Sequence, residues 1–324
     1  MAAMPKLPTF DDVRRAAERI RPLVHRTPVL TCESLDRLAG CRLFFKAENL
    51  QKVGAFKFRG ACNAVFSLED EQAARGVATH SSGNHAAALA LAAARRGIAA
   101  RIVMPENAPA VKKAAVEGYG AEITFCRPTL QAREQGLEQL VAETGAVFIH
   151  PYNDPRVIAG QGTAVLELLE EVPDLEIVIA PVGGGGLMSG TALSTAAVDP
   201  AIRIIGSEPA GADDAFRSLE AGRLIPSENP RTVADGLLTS LGSLTFEILS
   251  NHLERIVTVS EQAIIEAMRL VWERMKTVIE PSAAVPLAAV LEGSWNQRGR
   301  RIGLILSGGN ANLDGLPWAA DPPG

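Results

Sequence analysis

Short apolar runs recur along the chain, and each is followed by a longer stretch whose apolar positions fall at helical spacing. Thr9 with Asp12 forms a capping box that predicts a helix over Asp11 to Arg21, and His25-Arg26-Thr27-Pro28 then breaks into extended chain. Strands are predicted at Leu43 to Lys46, Gly76 to Thr79, Ala100 to Met104, Ile123 to Phe125 and Val147 to Ile149. Helices are predicted between them at Asn84 to Arg96, Val111 to Gly118 and Leu130 to Thr144. After Pro155 the rhythm resumes with a helix over Val157 to Glu171, a buried strand over Glu176 to Ala180 and a small-residue helix from Leu187. Next come a strand over Ile202 to Gly206, a helix over Asp213 to Ala221 and a loop over Leu224 to Pro230. A strand over Arg255 to Val259, helices at 261–276 and 282–293, and a strand over Ile302 to Leu306 complete the pattern. Strand and helix in alternation are the signature of parallel sheets, so the expected fold class is α/β. Two sheets are expected to face one another across a cleft, with ligand groups at the carboxyl ends of the strands.

Composition changes this picture little. The 324 residues suit about two domains or one large α/β domain, and 47% hydrophobic with 21% charged residues is ordinary for a globular chain. A net charge of −5 gives no nucleic-acid footprint. The four cysteines, Cys32, Cys41, Cys62 and Cys126, have neither disulfide nor zinc spacing. Met1 to Phe10 does not read as a signal peptide, and no apolar run spans a membrane, so a soluble cytoplasmic protein is expected.

The chemistry concentrates in four stretches. In Gly54-Ala55-Phe56-Lys57-Phe58-Arg59-Gly60 a lysine stands between two phenylalanines. Burial by those rings would lower its pKa and leave a nucleophilic amine, the group that forms a Schiff base with a carbonyl such as the aldehyde of pyridoxal phosphate. Taken alone, Lys57 and Arg59 read more readily as the solvated face of a helix starting near Ala55. Gly183-Gly184-Gly185-Gly186 lies between a buried strand and a helix start, where consecutive backbone N–H groups can converge on a phosphate. No Gly-Lys-Ser/Thr follows it, and Met188 and Ser189 break a dinucleotide fingerprint. Thr79-His80-Ser81-Ser82-Gly83-Asn84-His85 is a second strand-to-helix junction, suited to a carboxylate or a phenolic oxygen, or simply to capping a helix. Ser307-Gly308-Gly309-Asn310 is a third.

These motifs, in this order and across nearly the whole chain, resemble the fold type II pyridoxal-phosphate enzymes (tryptophan synthase β-like) of the serine/threonine dehydratase and serine racemase family. The resemblance implies two parallel-sheet α/β domains with the cofactor between them: residues 1–50 and 152–324 as the larger, 51–151 as the smaller. It implies that Lys57 bonds the cofactor, that Gly183 to Gly186 with Leu187 hold its phosphate, and that Asn84 meets the phenolic oxygen. Phe56 would pack near the ring and Ser307 would meet the ring nitrogen. Ser81, Ser82, Asn84 and His85 would take the substrate carboxylate. The implied reaction is water elimination from a β-hydroxy amino acid, L-serine or L-threonine first, giving a 2-oxo acid and ammonia, with Lys57 as the base at Cα. Serine racemisation and 3-hydroxyaspartate dehydration are the near alternatives; β-replacement and a non-catalytic phosphate-binding module are remote ones. A homodimer is implied too.

Within the family, Ser82 aligns with the serine that works opposite lysine in racemases, although it fits substrate binding as well. Glu208 and Asp214, with the Ala212 carbonyl, match carboxylates that bind a divalent cation (magnesium, calcium or manganese), although acidic residues in a first helical turn are also ordinary dipole partners. Arg133 resembles an arginine of serine racemases that reaches a second substrate carboxylate, and otherwise reads as a surface charge. Val53 and Ala87 depart from the threonine and glutamine of nucleotide-activated animal racemases. The short stretch after Asn310 leaves no room for the regulatory domain of biosynthetic threonine dehydratases, so neither nucleotide activation nor isoleucine feedback is expected.

Overall fold

In the computed structural model, residues 6–108, 110–293 and 297–318 are described. Expectations resting on residues 1–5 and 319–324 lie outside them. Among the described residues ten strands form: β1 (Val29–Leu30), β2 (Arg42–Ala47), β3 (Val77–His80), β4 (Ala100–Pro105), β5 (Glu122–Cys126), β6 (Val147–Phe148), β7 (Ile177–Pro181), β8 (Arg203–Pro209), β9 (Arg255–Val259) and β10 (Arg301–Leu306). They make a six-stranded sheet in the order β1-β2-β10-β7-β8-β9 and a four-stranded sheet in the order β5-β4-β3-β6. Every pairing is parallel except the edge strand β1 on β2, where Val29 faces Lys46.

The central strands β7 and β10 are buried almost throughout, as the unbroken apolar runs Ile177–Ala180 and Ile302–Leu306 require of strands covered on both faces. The helix Phe10–Ile20 begins at the expected Thr9–Asp12 capping box. The helix Lys57–Phe66 packs against both Asn84–Arg96, on the smaller sheet, and Pro155–Glu171, on the larger. It therefore belongs structurally to the seam between them.

The structure departs from the sequence pattern in four places. The short helices Glu33–Ala39 and Asp70–Ala74 and the helix Ser243–His252 fall in stretches with little periodicity. The apolar spacing over 261–276 runs on unbroken, yet the α-helix stops at Leu270 and gives way to a π-turn, Val271–Met275, ended by Lys276 in the left-handed region (φ 56°). A π-turn widens the helix and often marks a functional site. Here it delivers Glu280 into the cleft.

Candidate active site

The strands end together on a cleft of about 460 Å³. β3 leads into Ser81, Ser82 and Asn84; β6 into Pro151 and Tyr152; β7 into Gly183–Gly186; and β10 into Ser307, all of which line it with Phe56, Lys57, His85, Leu187 and Arg133. The four sequence motifs thus meet in one place. Glu208, Ala212 and Asp214 do not line it; they run from the end of β8 to the first residue of the helix Asp214–Ala221.

Lys57 is the first residue of its helix, and its Nζ donates to the Pro151 carbonyl at 2.9 Å. Burial in the seam lowers its pKa to about 8, while the carboxylate of Glu280 acts in the opposite sense. The two phenylalanines do not both enclose it, as the sequence suggested. Phe56 lies 5.1 Å from Nζ, whereas Phe58 is fully buried in the core of the smaller sheet, because consecutive helical residues diverge by about 100°. Nor is Arg59 a surface charge. It is completely buried, with Nε on Glu48 at 2.7 Å and Nη1 on Glu167 at 2.8 Å, and Lys46 completes the cluster on Glu167 at 2.7 Å. Two residues from Lys57, this network pins the start of its helix.

The glycine loop is held open by packing as much as by flexibility. A Cβ on Gly184 would overlap the ring of Tyr152, and one on Gly186 the Tyr152 backbone and Cβ. Gly185 has φ 85° and would meet Leu241 and Thr245. Thr245 Oγ1 donates to the Gly184 carbonyl at 2.9 Å, turning that carbonyl away. Among the described residues none accepts a hydrogen bond from the N–H groups of Gly183 to Leu187. Those donors stand at the N-terminus of the buried helix Gly186–Val198, an arrangement that suits an anion.

Beside them, at the end of the neighbouring strand β10, Ser307 is buried, offering a hydroxyl that is neutral at working pH. Ser81 Oγ accepts from the Gly83 amide at 3.3 Å, and the Ser82 hydroxyl has no partner among the described residues. Arg133 is half-buried on the cleft wall, and its guanidinium likewise has no hydrogen-bond or ion-pair partner among the described residues. His85 is buried with Nε2 on the Ile149 carbonyl, and burial holds its pKa well below the usual histidine range. His150 Nδ1 accepts from the Asn153 amide at 2.9 Å, so its proton sits on Nε2; burial takes its pKa down to about 4. Both histidines are neutral at working pH.

Three cleft residues carried no sequence signal. Tyr152 packs edge-on against His150 (4.5 Å between centroids) and flat on the glycine loop. Lys112 pairs with Asp235 at 3.0 Å at the mouth. Glu280 precedes Pro281 at a helix start, where an acidic residue reads as an ordinary cap. Its carboxyl is buried, which raises its pKa to about 7 against the pull of Asn84 Nδ2.

At the second location, Glu208 is fully buried and accepts from the amides of Ala215 (3.1 Å) and Phe216 (2.9 Å). Asp214 Oδ2 accepts from the Leu241 amide at 3.2 Å, but its Oδ1 is buried without a partner. Burial raises the two carboxyls to about 9 and about 6. No group of three or more His, Cys, Asp or Glu side chains placed to hold a metal ion occurs among the described residues. Among them, too, no helix is long and apolar enough to cross a membrane.

An amine of lowered pKa, an amide cradle with no acceptor of its own and a buried hydroxyl in the same cleft fit a phosphorylated aromatic aldehyde. Known proteins agree. The family described as pyridoxal-phosphate dependent enzyme matches residues 20–308. The chain is 52% identical to a beta-hydroxyaspartate dehydratase of Paracoccus denitrificans (strain Pd 1222), over 96% of this chain and 99% of that protein. It is 49% identical to a serine racemase of Dictyostelium discoideum, over 95% and 96%. The maize serine racemase structure superposes with a TM-score of 0.94 at 47% identity, covering 95% of each chain. The cleft and the matches lead to one conclusion: the chain belongs to the pyridoxal-phosphate dependent enzymes of fold type II, close to the serine racemases and 3-hydroxyaspartate dehydratases.

Proposed function

We propose that this protein is an ammonia-lyase that removes water from a β-hydroxy amino acid, with 3-hydroxyaspartate as its preferred substrate class. The observation that carries the substrate choice is Arg133. A half-buried guanidinium without a partner, on the wall of the cleft that holds the Lys57 amine, is a ready seat for a second carboxylate. The similarity to the Paracoccus dehydratase supports it. The sequence had put L-serine and L-threonine first; the cleft favours the dicarboxylate among the alternatives it named.

The N–H groups of Gly183 to Leu187 would hold the cofactor phosphate, while Asn84, Ser307 and Phe56 would seat the ring. Pyridoxal phosphate, when bound, supplies an aldehyde for the substrate nitrogen and a conjugated ring that accepts the electron pair left at Cα. Ser81, Ser82 and the start of the helix Asn84–Arg96 bind the α-carboxylate. Lys57 Nζ, unprotonated, takes the Cα proton. The Cβ–O bond then breaks, its electron pair leaves with the oxygen, and the hydroxyl departs as water on receiving one proton, which balances the proton that Lys57 took from Cα. The released enamine tautomerises to an imine, and water converts that to the 2-oxo acid and ammonia. Tyr152 and the neutral histidines exclude bulk water and compete for no proton.

In a panel of L-serine, L-threonine, D-serine and the 3-hydroxyaspartate isomers, hydroxyaspartate should give the highest kcat/KM for 2-oxo acid release. Arg133→Ala should lower that value roughly 10- to 150-fold, the worth of a hydrogen bond to a charged group, and leave serine within about threefold. An equal loss on both substrates would remove the dicarboxylate assignment. Ser82 supports a second activity. Its unpartnered hydroxyl borders the cleft, so serine enantiomer exchange that is lost in Ser82→Ala would show proton return at Cα.

We also propose a divalent cation at Glu208, Asp214 and the Ala212 carbonyl. Two buried carboxylates with one orphaned oxygen make an acceptor-rich site that oxygen-seeking cations suit. Magnesium or calcium should raise Tm by a few degrees, EDTA should reverse it, and Asp214→Asn should abolish the response. An unresponsive wild-type protein would rule the cation out.

A further inference from the structure

Two of the cleft motifs are tied together by a carboxylate that lies in neither. Glu280 accepts from Asn84 Nδ2 through both oxygens, at 3.0 and 3.2 Å. Asn84 Oδ1 accepts in turn from Asn310 Nδ2 at 2.8 Å, and the same nitrogen donates to the Val53 carbonyl at 2.8 Å. With a carboxylate on one side and an amide donor on the other, the Asn84 amide has a single satisfied orientation. The backbone is shaped around this clasp. Val53 is a β-branched residue at φ 57°, a conformation that persists only where its surroundings impose it. A Cβ on Gly54 would overlap Asn310, and one on Gly308 would overlap the Glu280 carboxylate. The Glu280 amide donates to the Gly308 carbonyl at 3.0 Å. The π-turn Val271–Met275 and the left-handed Lys276 lie just upstream, four residues before Glu280.

We propose that Glu280 is a positioning residue of this site: its carboxylate fixes Asn84 across the cleft and stands as the counter-charge to Lys57. Asn84 comes from the smaller sheet, Glu280 and Asn310 from the segments around the larger, so the clasp also joins the two sides of the cleft. The proposal rests on the reading of Lys57 as the reacting amine. The charged groups facing Glu280 are Lys57, Lys112 from the helix Ala110–Gly118, and Asp235 from the turn Asp235–Leu237. Those facing Lys57 are Glu280 and the buried neutral histidines His85 and His150. The sign follows. An ionised Glu280 favours the ammonium form of Lys57 and delays the free amine to higher pH. Burial takes Glu280 up to about 7 and Lys57 down to about 8, so removing the Glu280 charge should move the Lys57 ionisation further down. Glutamine keeps the shape and the acceptor for Asn84 but removes the charge.

The test uses Glu280→Gln, Glu280→Ala and Asn310→Ala in cofactor-loaded protein. The readouts are the pH titration of cofactor absorbance, cofactor affinity, Tm and the pH profile of kcat/KM. The wild-type enzyme should show two ionisations between about pH 6 and 9. Glu280→Gln should show one, with the acid limb moved down by about half a unit or more, at unchanged Tm. Glu280→Ala and Asn310→Ala, which release Asn84, should weaken cofactor binding about tenfold. Glu280→Gln with the wild-type absorbance titration would overturn the counter-charge; Ala variants that lose Tm but keep cofactor affinity would reduce the clasp to a structural role and overturn the rest. If the wild-type protein turns over no β-hydroxy amino acid, the proposed reaction falls, while the absorbance titration still decides the role of Glu280.

Discussion

Lys57→Ala should lose at least about 10⁴ in kcat, because a positioned base alone contributes up to that factor and the covalent attachment of the cofactor disappears with it. No neighbour can substitute. Lys112 is held by Asp235 at the mouth, Glu280 is committed to Asn84, and His85 and His150 are buried and neutral. The loss should be chemical and not structural, since the buried Arg59–Glu48–Glu167–Lys46 cluster that holds the helix does not involve the Lys57 side chain. Two measurements check this. Borohydride reduction followed by mass spectrometry should place the cofactor mass on Lys57 in the wild-type protein and nowhere in the variant. A small primary amine should restore part of the rate. More than about 1% residual turnover without added amine would remove Lys57 from its role as base.

Gly184→Ala should be the second most damaging single change. The added methyl falls on the Tyr152 ring, which cannot retreat because His150 lies 4.5 Å away on its edge and Gly186 presses on its backbone. Overpacking of this kind costs about 1–3 kcal/mol, which translates to roughly 5- to 150-fold in cofactor affinity when the displaced atoms are the cradle itself. The loss should appear in the cofactor Kd and in the Tm of the loaded protein, with a smaller change in the cofactor-free Tm. Tyr152→Ala in the same chain makes room for the methyl and should recover part of the affinity. If the double variant binds no better than Gly184→Ala, the clash with Tyr152 is not what makes glycine necessary.

Much of this was legible in the chain because the signals are local. A tetraglycine between an apolar run and a small-residue helix announces its own geometry, and the capping box at Thr9 and Asp12 marks a helix start within four residues. The junctions at Ser81–Asn84 and Ser307–Asn310 follow from strand ends, and parallel strands send their carboxyl ends to one side. What misled was also local. Two phenylalanines beside Lys57 suggested an aromatic sandwich, but a helix turns adjacent side chains apart, and the desolvation of the amine comes from the seam as a whole. Arg59 looked as free as any helical arginine, because its carboxylates lie 11 and 108 residues away.

The sequence by itself determined the alternation of strands and helices, the glycine loop at a helix start and the place of the lysine, since each depends on residues within one turn or one strand of each other. Only the tertiary structure decided which charges meet. Asn84 and Glu280 are 196 residues apart, and Arg133 became a cleft residue when the helix Leu130–Thr144 packed against the smaller sheet. Pairings of that kind are set by the meeting of two sheets, and no short-range pattern of propensity or spacing encodes them.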